Sequence, residues 1–183
     1  MQVRNTTARW GSVAQFLHWL IVALIITQLI LALIASELHG MAKLATLARH
    51  KSVGITILML AVVRLLWRLG NPTPPLPLTL KPYERVLAKF THAALYVLIF
   101  AMPLSGWIMS SARGFPVSWF SLFQLPDLVA KNRPLYEAML TTHGVLACAL
   151  VAIATLHALA ALKHHFVLKD TVLRRMLPFS KIP

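Results

Sequence analysis

The chain has 183 residues, of which 58% are hydrophobic and 13% charged, with a mean hydropathy of +0.70. That composition excludes a disordered, collagen-like or ordinary soluble protein. Eighteen Lys and Arg stand against five Asp and Glu, a net charge of +13. In so apolar a chain this excess belongs to the short loops of a membrane protein rather than to a nucleic-acid surface.

Four apolar runs, at about 13–35, 50–69, 86–110 and 135–162, are each long enough to cross the hydrocarbon as a helix. The first, Val13 to Ala35, holds no charge. Arg4 and Arg9 precede it as they would a signal peptide, but it is too long for that and is expected to be retained. The second, His50 to Leu69, carries Arg64 and Arg68 near its end. A stiff, extended linker follows, Asn71-Pro72-Thr73-Pro74-Pro75-Leu76-Pro77, with few backbone donors. The third run, Val86 to Ser110, contains Met102-Pro103, where a kink is expected, and Gly106, which leaves room for close packing. The fourth runs from Leu135 to Leu162. Period-2 alternation is absent, so the reading is an all-α, single-domain, integral membrane four-helix bundle spanning 1–183 and not a β-barrel.

Four spans put both termini on one side. That side carries Arg4, Arg9, Arg64, Arg68, Lys81, Arg85, Lys89, Lys163, Lys169, Arg174, Arg175 and Lys181. The other carries Lys43, Arg49, Lys51, Arg113, Lys131 and Arg133. The positive-inside bias therefore places both termini in the cytoplasm. Trp10, Trp19, Trp67, Trp107 and Trp119 fall near the expected interfaces, as an aromatic belt would.

Eight histidines then sort by depth. His18 and His92 lie near the cytoplasmic level, His50 and His143 near the outer level, and His157 near the cytoplasmic end of the fourth helix. His39 falls in the outer loop, and His164 and His165 at the last helix exit. His143 and His157 are 14 residues apart, about 40° short of four full turns, so one helix face offers both, separated by a rise of about 21 Å. His143 has His50 as a partner at its depth, and His157 has His18. Two axial histidines per level suit a haem b, a flat apolar ring that fits between helices. His92 shares the inner level and competes with His18 for that ligand position. A structural zinc wants four ligands, which neither level supplies. One cysteine, Cys148, excludes an internal disulfide, a cysteine cluster and covalent haem attachment. Gly54, Gly144, Ala158 and Ala161 beside the proposed ligands would leave space for a macrocycle, a pattern that ordinary helix packing shares.

Arg9-Trp10, Leu17-His18-Trp19-Leu20, Arg49-His50-Lys51-Ser52-Val53-Gly54, Val63-Arg64-Leu65, Arg68 and Pro72-Thr73-Pro74-Pro75 form an ordered series. It continues with His92-Ala93-Ala94-Leu95-Tyr96, Met102-Pro103-Leu104-Ser105-Gly106 and the run from Leu156-His157-Ala158 to His164-His165-Phe166, with Lys169-Asp170. In order and spacing the set resembles the bacterial cytochrome b561 family over nearly the whole chain, a group related to the cytochrome b subunits of nickel hydrogenases. The resemblance implies two haem b groups in a multi-pass protein of the bacterial inner membrane, held by His18 with His157 and by His50 with His143. It also implies oxidation of superoxide, or another small reductant, with reduction of ubiquinone. Arg49, Lys51, Arg113, Lys131 and Arg133 would form a basic rim for an anionic donor. His164, with His92 as runner-up, would donate a hydrogen bond or proton to the quinone. Arg64 and Arg68 would pair with haem propionates, unless they merely snorkel. The alternative implied is a cytochrome b anchor relaying electrons from a hydrogenase- or dehydrogenase-type redox partner protein to quinone.

Overall fold

A computed structural model describes residues 2–77 and 80–180; Lys181, one of the cations expected above on the side of the termini, lies outside the described residues. Four helices make up the fold: α1 Ser12–Glu37, α2 Gly40–Leu69, α3 Pro82–Arg113 and α4 Arg133–Phe166. Each is long and apolar enough to cross a membrane. All four outrun the hydropathy-based spans, and α2 does so most, starting at Gly40 rather than His50. Hydropathy measures affinity for lipid, and Lys43 and Arg49 lower it. Neither residue opposes the helix, and Met41-Ala42-Lys43-Leu44-Ala45 is a run of strong helix formers. Only Leu38 and His39 therefore separate α1 from α2, which makes the two antiparallel neighbours. Pro103 sits inside α3 without ending it.

The helices pack in sequence, α1 on α2, α2 on α3 and α3 on α4. No Cα of α4 comes within 8 Å of one in α1 or α2. The bundle is thus open along one seam, and Leu150 is the one buried residue of α4. At mid-height, Ala61, Leu98, Ile99 and Leu150 form the core, with Ile25, Leu95 and Phe100 against it.

A β-hairpin that the sequence did not reveal joins α3 to α4. Its strands, β1 Val117–Trp119 and β2 Phe123–Leu125, are antiparallel with Trp119 opposite Phe123. Phe120 and Ser121 turn the chain with φ of 47° and 61°, and Leu122 N–H closes the turn on Trp119 O at 2.9 Å. Both central residues at positive φ is the type I′ signature. The hairpin lies on α2, held by side-chain bonds. Trp119 Nε1 donates to Thr56 Oγ1 at 3.0 Å. Phe120 N–H donates to Ser52 Oγ at 3.0 Å, and Ser118 O lies 3.0 Å from the same hydroxyl. Lys51 Nζ donates to Pro116 O at 2.8 Å and to Ser110 Oγ at 3.2 Å.

At the opposite, terminal end the chain is tied by long-range bonds. Asn5, buried, accepts from Gly11 N–H and donates to Pro72 O. A Cβ at Gly11 would lie 2.2 Å from Val3 O, so only glycine fits beneath this N-terminal turn. Gln15 Nε2 donates to Arg175 O, Trp19 Nε1 to Met176 O and Arg175 Nη1 to Pro75 O, at 3.1, 2.9 and 2.9 Å. The segment after α4 is therefore a strap across the start of α1 and the proline linker.

Ser52→Ala would leave Phe120 N–H without its partner on α2. The expected loss is about 1–3 kcal/mol, read as a lower thermal midpoint in detergent together with faster proteolysis within residues 114–132. Unchanged values of both would contradict the hairpin's docking.

Candidate cofactor sites

Tyr136, His143, Leu150, His157 and His164 recur every seven residues of α4. Seven residues fall about 20° short of two turns, so the five form a slowly drifting stripe about 42 Å long. Leu150, midway, belongs to the core between the helices. The histidines on either side of it meet partners from the α1–α2 pair across the open seam.

At the hairpin end, His143 faces His50 with ring centroids 6.4 Å apart and planes at 69°. Ser105 Oγ lies 2.9 Å from His143 Nδ1 and 2.8 Å from Met102 O. The hydroxyl has one proton, and the carbonyl can only accept it. Ser105 therefore donates to Met102 and accepts from His143 Nδ1–H, which leaves the His143 Nε2 lone pair free for a metal. A Cβ at Gly106 would sit 3.1 Å from His143 Cε1. Gly106 thus makes room for the ligand ring itself. Gly54 faces the Gln28 side chain, and Gly144 faces open space. His50 Nδ1 and Gln28 Oε1 are buried without bonded partners among the described residues, and the backbone carbonyl of Gln28 lies near the His50 ring.

At the terminal end, His157 meets two rings. His18 stands 6.4 Å away with planes at 80°, and His92 stands 5.3 Å away at 71°. A metal–imidazole bond is about 2.0 Å and the ring centre lies roughly 1.1 Å behind the nitrogen, so two rings trans on one metal sit about 6.3 Å apart. His18–His157 and His50–His143 both fit that span. His92–His157 is about 1 Å too short for it. Among the described residues no three His, Cys, Asp or Glu converge to hold a metal ion. Paired imidazoles at these spans are a donor set that a planar macrocycle fits.

Around the terminal pair, the half-buried Arg64 donates through Nη1 to Ala14 O at 2.9 Å. It is turned inward, not snorkelling, and no carboxylate pairs with it among the described residues. Arg68 stacks over the Tyr96 ring at 5.2 Å. His164 Nδ1 contacts Asp170 Oδ2 at 2.5 Å. His165 Nδ1 is buried without a partner among the described residues, and His39 is exposed as the residue preceding α2.

The rim cations divide. Lys51 is committed to the hairpin, as above. Arg113, Lys131 and Arg133 line a cavity of about 480 Å³ with Tyr136 and Glu137. Arg113 Nη1 donates to Tyr136 OH at 2.5 Å and Arg133 pairs with Glu137. Arg49 is exposed. Ser105 and Asp170 were read in sequence only as parts of longer motifs; nothing in their spacing announced bonds to His143 and His164.

Comparison with known proteins agrees with this architecture. The family model described as prokaryotic cytochrome b561 matches residues 9–179. Cytochrome b561 homolog 2 of Escherichia coli is 36% identical over 97% of this chain and 95% of its own length. The probable superoxide oxidase CybB of Yersinia pestis is 36% identical over 88% of this chain and 92% of its own. Cytochrome b561 homolog 1 of Escherichia coli is 30% identical over 94% and 99%. The chain belongs to the prokaryotic cytochrome b561 family, multi-pass membrane cytochromes of electron transfer.

Proposed function

We propose that the protein is a di-haem oxidoreductase of the bacterial inner membrane that oxidises superoxide at its hairpin end and reduces ubiquinone at its terminal end. The observation that carries this reading is the pair of equal 6.4 Å imidazole spans across one open seam. His50 with His143 and His18 with His157 hold one haem b each. Haem b supplies one-electron redox chemistry at each pair. The 36% identity to a probable superoxide oxidase supports the donor. The excess of cations at the terminal end supports a cytoplasmic placement of both termini. Two superoxide anions, one ubiquinone and two protons give two dioxygen and one ubiquinol.

The chain's own residues divide the work. Ser105 fixes the His143 tautomer, and Gly106 admits the ring. Arg64, whose donors outnumber its neighbouring acceptors Ala14 O and the Tyr96 hydroxyl, and Arg68 are placed to hold the carboxylates of the terminal haem. Arg113, Lys131 and Arg133 raise the local concentration of an anion at the hairpin end. The aliphatic core at Leu150 keeps water from joining the two levels. His164, two turns beyond His157 on the α4 stripe, donates to the quinone.

Pyridine haemochrome analysis of detergent-purified protein is expected to return two haems b per chain. His143→Ala and His157→Ala should each leave one, and His18→Ala should remove the same haem as His157→Ala. Loss of that haem in His92→Ala but not in His18→Ala would move the ligand to His92. Ser105→Ala, which strips the partner from His143 Nδ1–H, should weaken retention of the hairpin-end haem by about 10- to 100-fold, measured by haem transfer to an acceptor protein. Full retention would show that Ser105 does not orient the ligand. Anaerobic ubiquinol formation should rise when superoxide is generated beside the purified protein; equal rates with and without it would reject the donor.

A further inference from the structure

The terminal end is crowded with Lys and Arg, yet Glu84 and Asp170 are its two acidic residues. Glu84 is engaged twice, accepting from Lys81 N–H at 3.1 Å and pairing with Lys163 at 3.5 Å. Asp170 stands between Lys169 and, four residues on, Arg174, but its carboxylate binds an imidazole instead. Oδ2 meets His164 Nδ1 at 2.5 Å and Oδ1 accepts Val172 N–H at 2.9 Å. Asp170 N–H returns to His164 O at 3.1 Å. Lys169 takes φ of 54° to make this return, a left-handed conformation that a lysine adopts at a cost. The His164 and Asp170 side chains are 15% and 20% exposed. From there the strap runs to Trp19, the neighbour of His18, and to Gln15 and Pro75. The carboxylate is therefore clamped on the imidazole from both sides of its loop.

We propose that Asp170 is the positioning residue of a proton relay to the quinone, acting through His164. This rests on the reading above that His164 faces the quinone. The carboxylate fixes the proton of His164 on Nδ1 and steadies the ring when it is doubly protonated. Nε2–H then gives its proton to a quinone oxygen. Each of the two protons that ubiquinone takes up with its two electrons leaves from Nε2 and is replaced at Nε2 from water before the next transfer, while Nδ1 keeps its proton, directed at the Asp170 carboxylate, throughout. The electrons come from the one-electron donor already named, so nothing further is consumed.

The test uses the full chain carrying both haems, reduced with just enough dithionite to leave none over and mixed with a short-chain ubiquinone, kcat and KM being the limiting rate and half-saturation of haem reoxidation. Asp170→Asn keeps an oxygen for the loop bond and removes the charge. It is expected to leave the haem spectrum and the KM for quinone unchanged. It should lower kcat about tenfold or more and raise the solvent deuterium isotope effect. Asp170→Glu, which restores the charge, should recover most of the rate. Wild-type kcat and isotope effect in Asp170→Asn, with His164→Gln slow, would overturn the relay and leave Asp170 a clasp for the strap. Equal slowing in Asp170→Asn and Asp170→Glu would overturn it too, because geometry and not charge would then matter. A His164→Gln protein at wild-type speed would instead refute the quinone assignment on which the relay rests.

Discussion

Everything in this fold follows from α4 standing apart from α1 and α2. A helix of 34 residues with one buried side chain gains its contacts from α3 and none between backbones from α1 or α2. It packs along α3 and reaches the α1–α2 pair through imidazoles 6.4 Å away. In water such a seam would close, because apolar surface would collapse on itself. In lipid that drive is absent, and packing alone decides. A seam can then persist where something flat and apolar fills it, and the seven-residue stripe sets where its two polar anchors fall. The mid-height core at Ala61, Leu98, Ile99 and Leu150 is where side chains approach across the bundle, which keeps the two levels separate.

The polar residues of the interior are placed where a backbone or ring atom would otherwise go unpaired. Ser105 serves His143, Ser110 takes Lys51 and donates to Phe115 O, and Ser111 accepts from Leu128 N–H. Thr56 and Ser52 hold the hairpin. Non-helical backbone at membrane depth survives only if it is satisfied by protein or faces a wet cavity. In the hairpin the Ser52 hydroxyl of α2 meets two backbone groups and Thr56 meets the Trp119 indole, so its position is fixed by the same helix that carries His50.

Span number and the two histidine levels were legible because periodicity and depth are one-dimensional. Position along α4 alone brings His143 and His157 to one face. The sequence could not separate His18 from His92, because both lie at one level; their ring distances to His157, 6.4 and 5.3 Å, are three-dimensional quantities. The start of α2 was missed because Gly40–Arg49 is helical without being lipid-like. The hairpin was missed because its strands have three residues each and its turn uses Phe120 and Ser121 at positive φ, where sequence reading expects Gly or Asn. Ser105 and Asp170 were missed for a different reason. A bond across 38 positions, or one closed by a left-handed lysine, leaves no pattern in a linear string.

The charge that opened the sequence now has a distribution as well as a sign. Part of it is exposed, as with Arg49 and Arg174. Part is structural, as with Lys51, whose ammonium binds two neutral oxygens and no carboxylate. Arg64 is the telling case. A half-buried guanidinium that meets Ala14 O and the Tyr96 hydroxyl still has donors to spare, and a cation turned inward without a counter-ion is costly. Its position beside the His18–His157 pair makes an anionic group within that site the economical resolution, and a haem carries two carboxylates. So few acidic side chains suffice because, on this reading, the cofactor brings the missing negative charge with it.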